Sequence, residues 1–190
     1  MSSPDEPPRL GLFHRGFDRL YPAIRFTYER LLRQPWFTQI TPELWLGGAP
    51  SYQRDLDALL VLGITAVLDV RAERDAPAAF LAEHGIASQQ YRVPDTAVPG
   101  PDILTDAVAW IGAWIAEGRV VYIHCAKGRG RSATVLAAYL MKTDGLSFDA
   151  VEALLRSKRP LVKLETRHRL VLESWIDAQR LTDRGDPDGG

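Results

Sequence analysis

The sequence of 190 residues contains one cysteine and two methionines. No stretch approaches the roughly 18 uninterrupted apolar residues that cross a bilayer as a helix. A single cysteine excludes an internal disulfide framework and fits a reducing compartment. It also leaves no second thiol to resolve an oxidised one. Neither sign of charge predominates: 23 Lys and Arg stand against 24 Asp and Glu, for a net charge of −1. The whole chain therefore exerts no general pull on nucleic acid, and any anion binding has to be local. Four histidines, at 14, 84, 124 and 168, lack metal-ligand spacing, so neither a metal centre nor another cofactor is expected. With 46% hydrophobic and 25% charged residues and no internal repeat, the length suits one globular domain with a single core.

What the chain does contain is concentrated in residues 119–141, RVVYIHCAKGRGRSATVLAAYLM. Val120 to Ile123 form a short β-branched apolar run that predicts a buried strand. Ala133 to Met141 are helix-forming, with Val135, Leu136, Tyr139 and Leu140 at helical spacing. Between them lies Cys125-Ala126-Lys127-Gly128-Arg129-Gly130-Arg131. Unpaired N–H groups and the macrodipole make a helix start hospitable to an anion. Gly128 and Gly130 permit the dihedrals by which successive N–H groups converge on one group. Lys127, Arg129 and Arg131 add formal charge to the same small volume. A thiol held there ionises readily, because such surroundings lower cysteine from about 8.5 to roughly 3.5 to 7.5. Three cations, two glycines and a cysteine in seven positions are not explained by a buried small hydrophobe beside a solvated face.

The run His124-Cys125-x5-Arg131-Ser132 resembles the signature of the cysteine-dependent protein tyrosine and dual-specificity phosphatases, with His, Cys, both Gly, Arg and Ser in place. The resemblance implies a dual-specificity phosphatase-like α/β fold, with a central, mostly parallel sheet flanked by helices. It implies that Cys125 attacks phosphorus and that a phosphocysteine intermediate is hydrolysed by water. Arg131 becomes the bidentate clamp on phosphate oxygens, a task for a planar fork rather than a point charge. Ala126, Lys127, Gly128, Arg129 and Gly130 line the phosphate with it. Ser132 would hydrogen-bond the cysteine sulfur, and His124 would brace the loop. A rhodanese-type loop resembles a C-x4-R spacing instead, and position 130 is Gly. Low-molecular-weight phosphatases carry their cysteine near the N-terminus, whereas this one follows two β/α units.

Taken in order, residues 1–9 are polar and proline-rich, lack the apolar core of a signal peptide, and are expected to be disordered. Residues 10–35 form a helical extension: Phe13, Phe17, Leu20, Ile24, Tyr28 and Leu31 recur at intervals of three and four, with Pro22 kinking the run. This face, rich in aromatics and arginine, either packs over the domain or rests on a membrane surface. A catalytic domain is expected over 36–181 and a disordered tail over 182–190. Within the domain, strands are predicted on either side of the Thr41-Pro42 turn, at 64–70 and at 86–93. Helices are predicted at 53–62, 76–84, 102–117, 147–158 and 165–180. Alternating strand and helix predicts a largely parallel sheet with the nucleophile loop at the carboxyl end of its strand.

A thiolate nucleophile requires a proton donor for the leaving alkoxide. Asp95, in Val93-Pro94-Asp95-Thr96, follows a strand about thirty residues before the cysteine, where the family resemblance implies the general acid. Asp102 is the alternative, though it is expected to cap the helix that follows. Asp69 and Arg71 end a strand beside the site and receive no assignment. Over residues 20–178 the chain is most similar to the group around mitochondrial phosphatidylglycerophosphate phosphatase and its bacterial and plant relatives. Tyr21-Pro22, Leu46-Gly47-Gly48-Ala49-Pro50 and the Gly-Arg-Gly-Arg-Ser-Ala-Thr loop carry that likeness. Where those relatives have an acidic segment, this chain has Arg71-Ala72-Glu73-Arg74-Asp75.

The reading is a phosphatase of phosphotyrosine, phosphoserine and phosphothreonine. The alternatives are a phospholipid phosphatase acting on phosphatidylglycerophosphate or phosphoinositides, and an inactive phosphate-binding module. The expected partner is a phosphoprotein or phospholipid, not nucleic acid. The expected location is the cytoplasm, at a membrane surface if residues 10–35 rest on lipid.

Overall fold

The structure, a computed structural model, describes residues 25–31 and 33–184. The chain divides into two compact units, Met1–Trp36 and Phe37–Gly190. In the first, the described residues form a π-helical turn, Thr27–Leu31. There Arg25 donates to Glu29 at 3.0 Å and lies 4.7 Å over the Trp36 ring, against which Tyr28 packs edge-on at 6.1 Å. Most of the predicted amphipathic segment 10–35 lies outside the described residues, as does the polar start 1–9.

The second unit is built on a five-stranded sheet. In chain order its elements are β1 (Phe37–Gln39), β2 (Leu44–Gly48), α1 (Gln53–Val61), β3 (Ala66–Asp69), α2 (Ala78–Glu83), β4 (Ala87–Gln90), α3 (Pro101–Ala116), β5 (Val121–Cys125), α4 (Arg131–Thr143), α5 (Phe148–Lys158) and α6 (Thr166–Arg184). The sheet order is β1-β2-β5-β3-β4, with β1 antiparallel to β2 and all other pairs parallel. The side-chain period of two divides the central strands between two cores. Leu46, Leu68 and Ile123 face α3 to α6, while Val67 and Tyr122 face Leu59 of α1 and Leu81 of α2. Every residue of β5 is buried, as a strand covered on both faces requires. The register sets Gly48 opposite Cys125 and Asp69 opposite His124, so the ends of three parallel strands converge on the predicted loop.

Several boundaries differ from the sequence expectation for local reasons. The strand expected over 86–93 stops at Gln90. The Tyr91 N–H still donates to the Asp69 carbonyl at 2.8 Å, but past it the backbone leaves the ladder, and the Val93 carbonyl accepts from the Ala72 N–H and from Arg131 instead. Asp102 does not cap α3: Gly100 holds the N-cap position and Pro101 the first helical one, which places Asp102 inside the first turn. Helix α6 runs to Arg184, past the expected start of a tail at 182, and the Thr182 hydroxyl bonds the Ala178 carbonyl within it.

Candidate active site

Residues 126–130 leave the end of β5 and return into α4, and their shape is imposed from three sides. Gly128 has φ +63°, and a Cβ placed there would stand 2.3 Å from the Gly47 carbonyl carbon and oxygen. Only glycine lets the loop lie this close to β2. The Ala49 N–H donates to the Ala126 carbonyl at 3.2 Å, which ties the other side of the loop to the end of that strand. Just past the end of α5, the fully buried Arg159 donates to the carbonyls of Gly128 at 2.9 Å and Lys127 at 2.8 Å, and to Thr38 Oγ1 at 3.0 Å. The carbonyls of Ala126, Lys127, Gly128 and Arg129 are thus all engaged by groups outside the loop.

Cys125 is buried, and its Sγ accepts a hydrogen bond from Ser132 Oγ at 3.3 Å. Burial alone pushes the thiol up. The Arg131 charge, the Ser132 hydroxyl and the backbone N–H groups of Ser132 and Arg129 outweigh it and hold the thiol below its ordinary value. The groups that lower the thiol all come from the loop and the first residues of α4. His124, one residue earlier, is wholly buried and stacks on Tyr122 with ring centroids 5.4 Å apart. Burial lowers its pKa to about 4, against the opposing pull of Asp69 at 3.7 Å. A neutral ring in that position carries no charge to the sulfur, and neither of its buried nitrogens has a hydrogen-bond partner among the described residues. Asp69 itself is held by Arg71, whose Nε and NH2 donate to its carboxylate at 2.8 and 2.7 Å.

Arg131, the first residue of α4, has four engaged N–H groups. NH1 and NH2 each donate to Glu73 at 2.7 Å, NH1 also reaches the Val93 carbonyl at 2.9 Å, and NH2 reaches Asp95 Oδ1 at 2.9 Å. Burial opposes its charge, but the Glu73 bonds prevail and raise its pKa further. Burial works against ionising Glu73 too, and the Arg131 bonds and charge bring its pKa below the usual carboxylate range. Asp95 sits at the mouth, 41% exposed, just before Thr96, whose φ of +65° turns the chain back.

Cys125, Arg131, Asp95, Lys127, Arg129 and His168 line one pocket of about 210 Å³. Lys163 and Arg167 add cations to its wall, each paired with Glu165, at 2.6 and 3.0 Å. Of the predicted loop, Cys125, Ala126, Lys127, Arg129, Gly130 and Arg131 line it, as does Asp95, whereas Gly128 does not and lies against Gly47 of β2. Asp102 is not among the residues that line it, and Asp69 and Arg71 lie behind His124. Sequence reasoning missed Glu73, Arg159, Lys163, Arg167 and His168. Glu73 lies 58 residues from its partner and Arg159 31 residues from the carbonyl it holds, distances at which no local pattern signals a contact. The charged run 163–169 was legible only as the start of a helix.

Residues 44–177 match the family described as "Dual specificity phosphatase, catalytic domain". Among curated proteins the chain is 39% identical over 129 residues to "Dual specificity protein phosphatase 12" of Mus musculus. That match covers 66% of this chain and 37% of the mouse protein, so the chain spans little more than a third of that relative. It is 30% identical over 168 residues to "Phosphatidylglycerophosphate phosphatase PTPMT2" of Arabidopsis thaliana, with 84% of this chain and 70% of the plant protein covered. Among solved structures, Tk-PTP in its active form superposes with a TM-score of 0.69 at 28% identity, covering 75% of this chain and 97% of that one. PTPMT1 in complex with PI(5)P superposes with a TM-score of 0.71 at 23% identity, covering 80% and 99%, a likeness of fold.

Proposed function

Because the chain belongs to the dual specificity phosphatase catalytic-domain family, we propose that it hydrolyses phosphate monoesters of phosphotyrosine, phosphoserine and phosphothreonine through Cys125. The observation that carries this reading is the convergence of a lowered thiol, an arginine fork and an acid, Asp95, on one pocket. In the first step the Cys125 thiolate attacks phosphorus, an S–P bond forms, and the P–O bond to the alcohol breaks as Asp95 gives the leaving oxygen its proton. In the second, water attacks the phosphocysteine, Asp95 takes the water's proton, and the S–P bond breaks. Phosphate and the thiolate result. The Ser132 hydroxyl, already on the sulfur, eases that departure.

Arg131 is held by Glu73 on the edge between its two terminal nitrogens, and among the described residues its Nε makes no hydrogen bond. The edge formed by Nε and NH2 is the one open to a phosphate, once Asp95 yields its place on NH2. Phosphate binding thereby releases the Asp95 carboxylate, which takes up a proton as it leaves the guanidinium and is then the acid for the ester oxygen.

A second reading, a phospholipid phosphatase, is favoured by the similarity to the plant phosphatidylglycerophosphate phosphatase over 84% of this chain. Under it, residues 10–35 attach the enzyme to a membrane surface. No helix among the described residues is long and apolar enough to cross a membrane. Both readings meet one test. Phosphate release is measured from phosphotyrosine peptide, phosphoserine peptide, phosphatidylglycerophosphate in vesicles and phosphoinositides, with Cys125→Ser as control. A preference of at least tenfold for either class selects the reading. No Cys125-dependent release from any of them overturns both and leaves a phosphate-binding module.

A further inference from the structure

One polar atom in the pocket has no part in the chemistry above. His168, in the first turn of α6, is only 3% exposed and lines the pocket beside Gly130. Its Nδ1 accepts the backbone N–H of Glu165 at 2.9 Å. An imidazole that accepts at Nδ1 carries its ring proton on Nε2. Burial, reinforced by the charge of Arg167, holds its pKa below the ordinary value, so the ring is neutral and its tautomer fixed. Nε2 is turned toward the phosphate loop, 3.6 Å from where a Cβ on Gly130 would stand. Among the described residues it makes no hydrogen bond. A rigidly held N–H beside the residue that precedes Arg131 is a preorganised donor, and such donors contribute most when they meet charge that develops during reaction.

The geometry points to His168 as a further catalytic residue, whose Nε2–H donates to a phosphoryl oxygen of the bound substrate and of the phosphocysteine. This inference rests on the proposed phosphatase reading. It competes with a purely structural role, in which His168 serves only to hold the start of α6 through Nδ1. The two nitrogens can be separated, because an asparagine amide oxygen reaches as far as Nδ1 while a glutamine amide nitrogen reaches as far as Nε2.

The experiment compares His168→Asn and His168→Gln with the wild type. Thermal midpoint, kcat/KM on an aryl phosphate and the inhibition constant of inorganic phosphate are measured for each. The donor role predicts that H168N keeps the midpoint but loses roughly tenfold to hundredfold in kcat/KM and binds inorganic phosphate more weakly. H168Q should lower the midpoint yet retain more of the activity than H168N. Activity that survives in H168N and falls in H168Q overturns the inference. Nitrogen NMR of the intact wild type gives an independent measure, since adding inorganic phosphate should move the protonated Nε2 resonance of His168. An unmoved resonance overturns the inference even if neither variant folds. A wild type that releases no phosphate ends the phosphatase reading, and the resonance then judges the donor separately.

Discussion

Asp95 Oδ1 and Arg131 NH2 meet at 2.9 Å across 36 residues of sequence, so the proposed acid rests on the proposed phosphate clamp. Under the proposed mechanism this contact makes Asp95 a competitor for the clamp until substrate displaces it. Asp95→Asn is expected to slow turnover of alkyl phosphates, whose leaving oxygen needs a proton, by about a hundredfold or more. Esters with acidic phenols should be slowed much less. Inorganic phosphate should bind the variant more tightly, because a negative charge has left the site. A rate loss independent of the leaving group would remove Asp95 from the acid's role.

Glu73 carries the orientation of Arg131. With both carboxylate oxygens at 2.7 Å from the fork, Glu73→Gln is expected to keep the shape and lose the charge-assisted grip. kcat/KM should fall about tenfold or more, since a small misplacement of a clamp is costly. The stability effect has a defined sign with pH. The folded pKa of Glu73 lies below its ordinary 4.5, so its contribution is complete above about 4.5 and disappears as the pH falls through the lowered folded value. Thermal midpoints of wild type and E73Q should differ at pH 7 and draw together in strong acid.

His124 sets a second acid limb. The unfolded ring binds a proton below about 6.5 and the buried one only below about 4, so stability falls as pH drops across that window. The interval corresponds to a loss on the order of 3 kcal/mol, complete at about pH 4 and absent above about 6.5. Chemical denaturation of His124→Gln at a series of pH values should show a flatter limb over the same window. An identical slope in both proteins would mean that the acid sensitivity originates elsewhere.

Ser132 tests the state of the sulfur. Its hydroxyl is one of the influences that lower the Cys125 thiol, so Ser132→Ala should raise the pH midpoint for alkylation by iodoacetate. The same change should slow dephosphorylation of the phosphocysteine more than its formation. Rapid-mixing experiments would then show a larger initial burst of alcohol than in the wild type. A burst of unchanged size, with an unchanged alkylation midpoint, would leave Ser132 as packing alone.

The parts of the site that were legible in the sequence are those written in consecutive residues. Strand β5, the glycine-rich loop and the start of α4 follow one another between Val121 and Thr143, and their chemistry could be argued without a third dimension. Asp95 was found from the proton the reaction needs and from the family likeness. Glu73, Arg159 and His168 were not, because each acts through a contact made by the tertiary fold. Glu73 sits between β3 and α2 in a run without periodicity, and Arg159 stands just past a predicted helix, where sequence gives no sign of burial. Its complete burial is decided by the loop carbonyls it meets. The misplaced cap of α3 has a simpler origin: Pro101 fits the first turn, so the helix begins before the aspartate that was expected to start it.

Gly128 gives the most direct test of how the loop is held. Its φ of +63° is costly for any residue with a Cβ, and a Cβ there would overlap the Gly47 carbonyl at 2.3 Å, a backbone group that cannot rotate away. Gly128→Ala must therefore displace either the loop or the end of β2, and β2 is fixed on both sides by its ladders with β1 and β5. The loop is the part that moves, and its displacement breaks the bond from Arg159 to the Gly128 carbonyl. The sheet and its two cores lie away from this contact, so circular dichroism should be unchanged and the thermal midpoint only modestly lowered. Activity should fall by about a hundredfold or more, because the residues that line the pocket on either side of Gly128 are displaced with it. Binding of inorganic phosphate should weaken in parallel. A fully active G128A protein would mean that the loop closes around phosphate by a route other than its resting contact with β2.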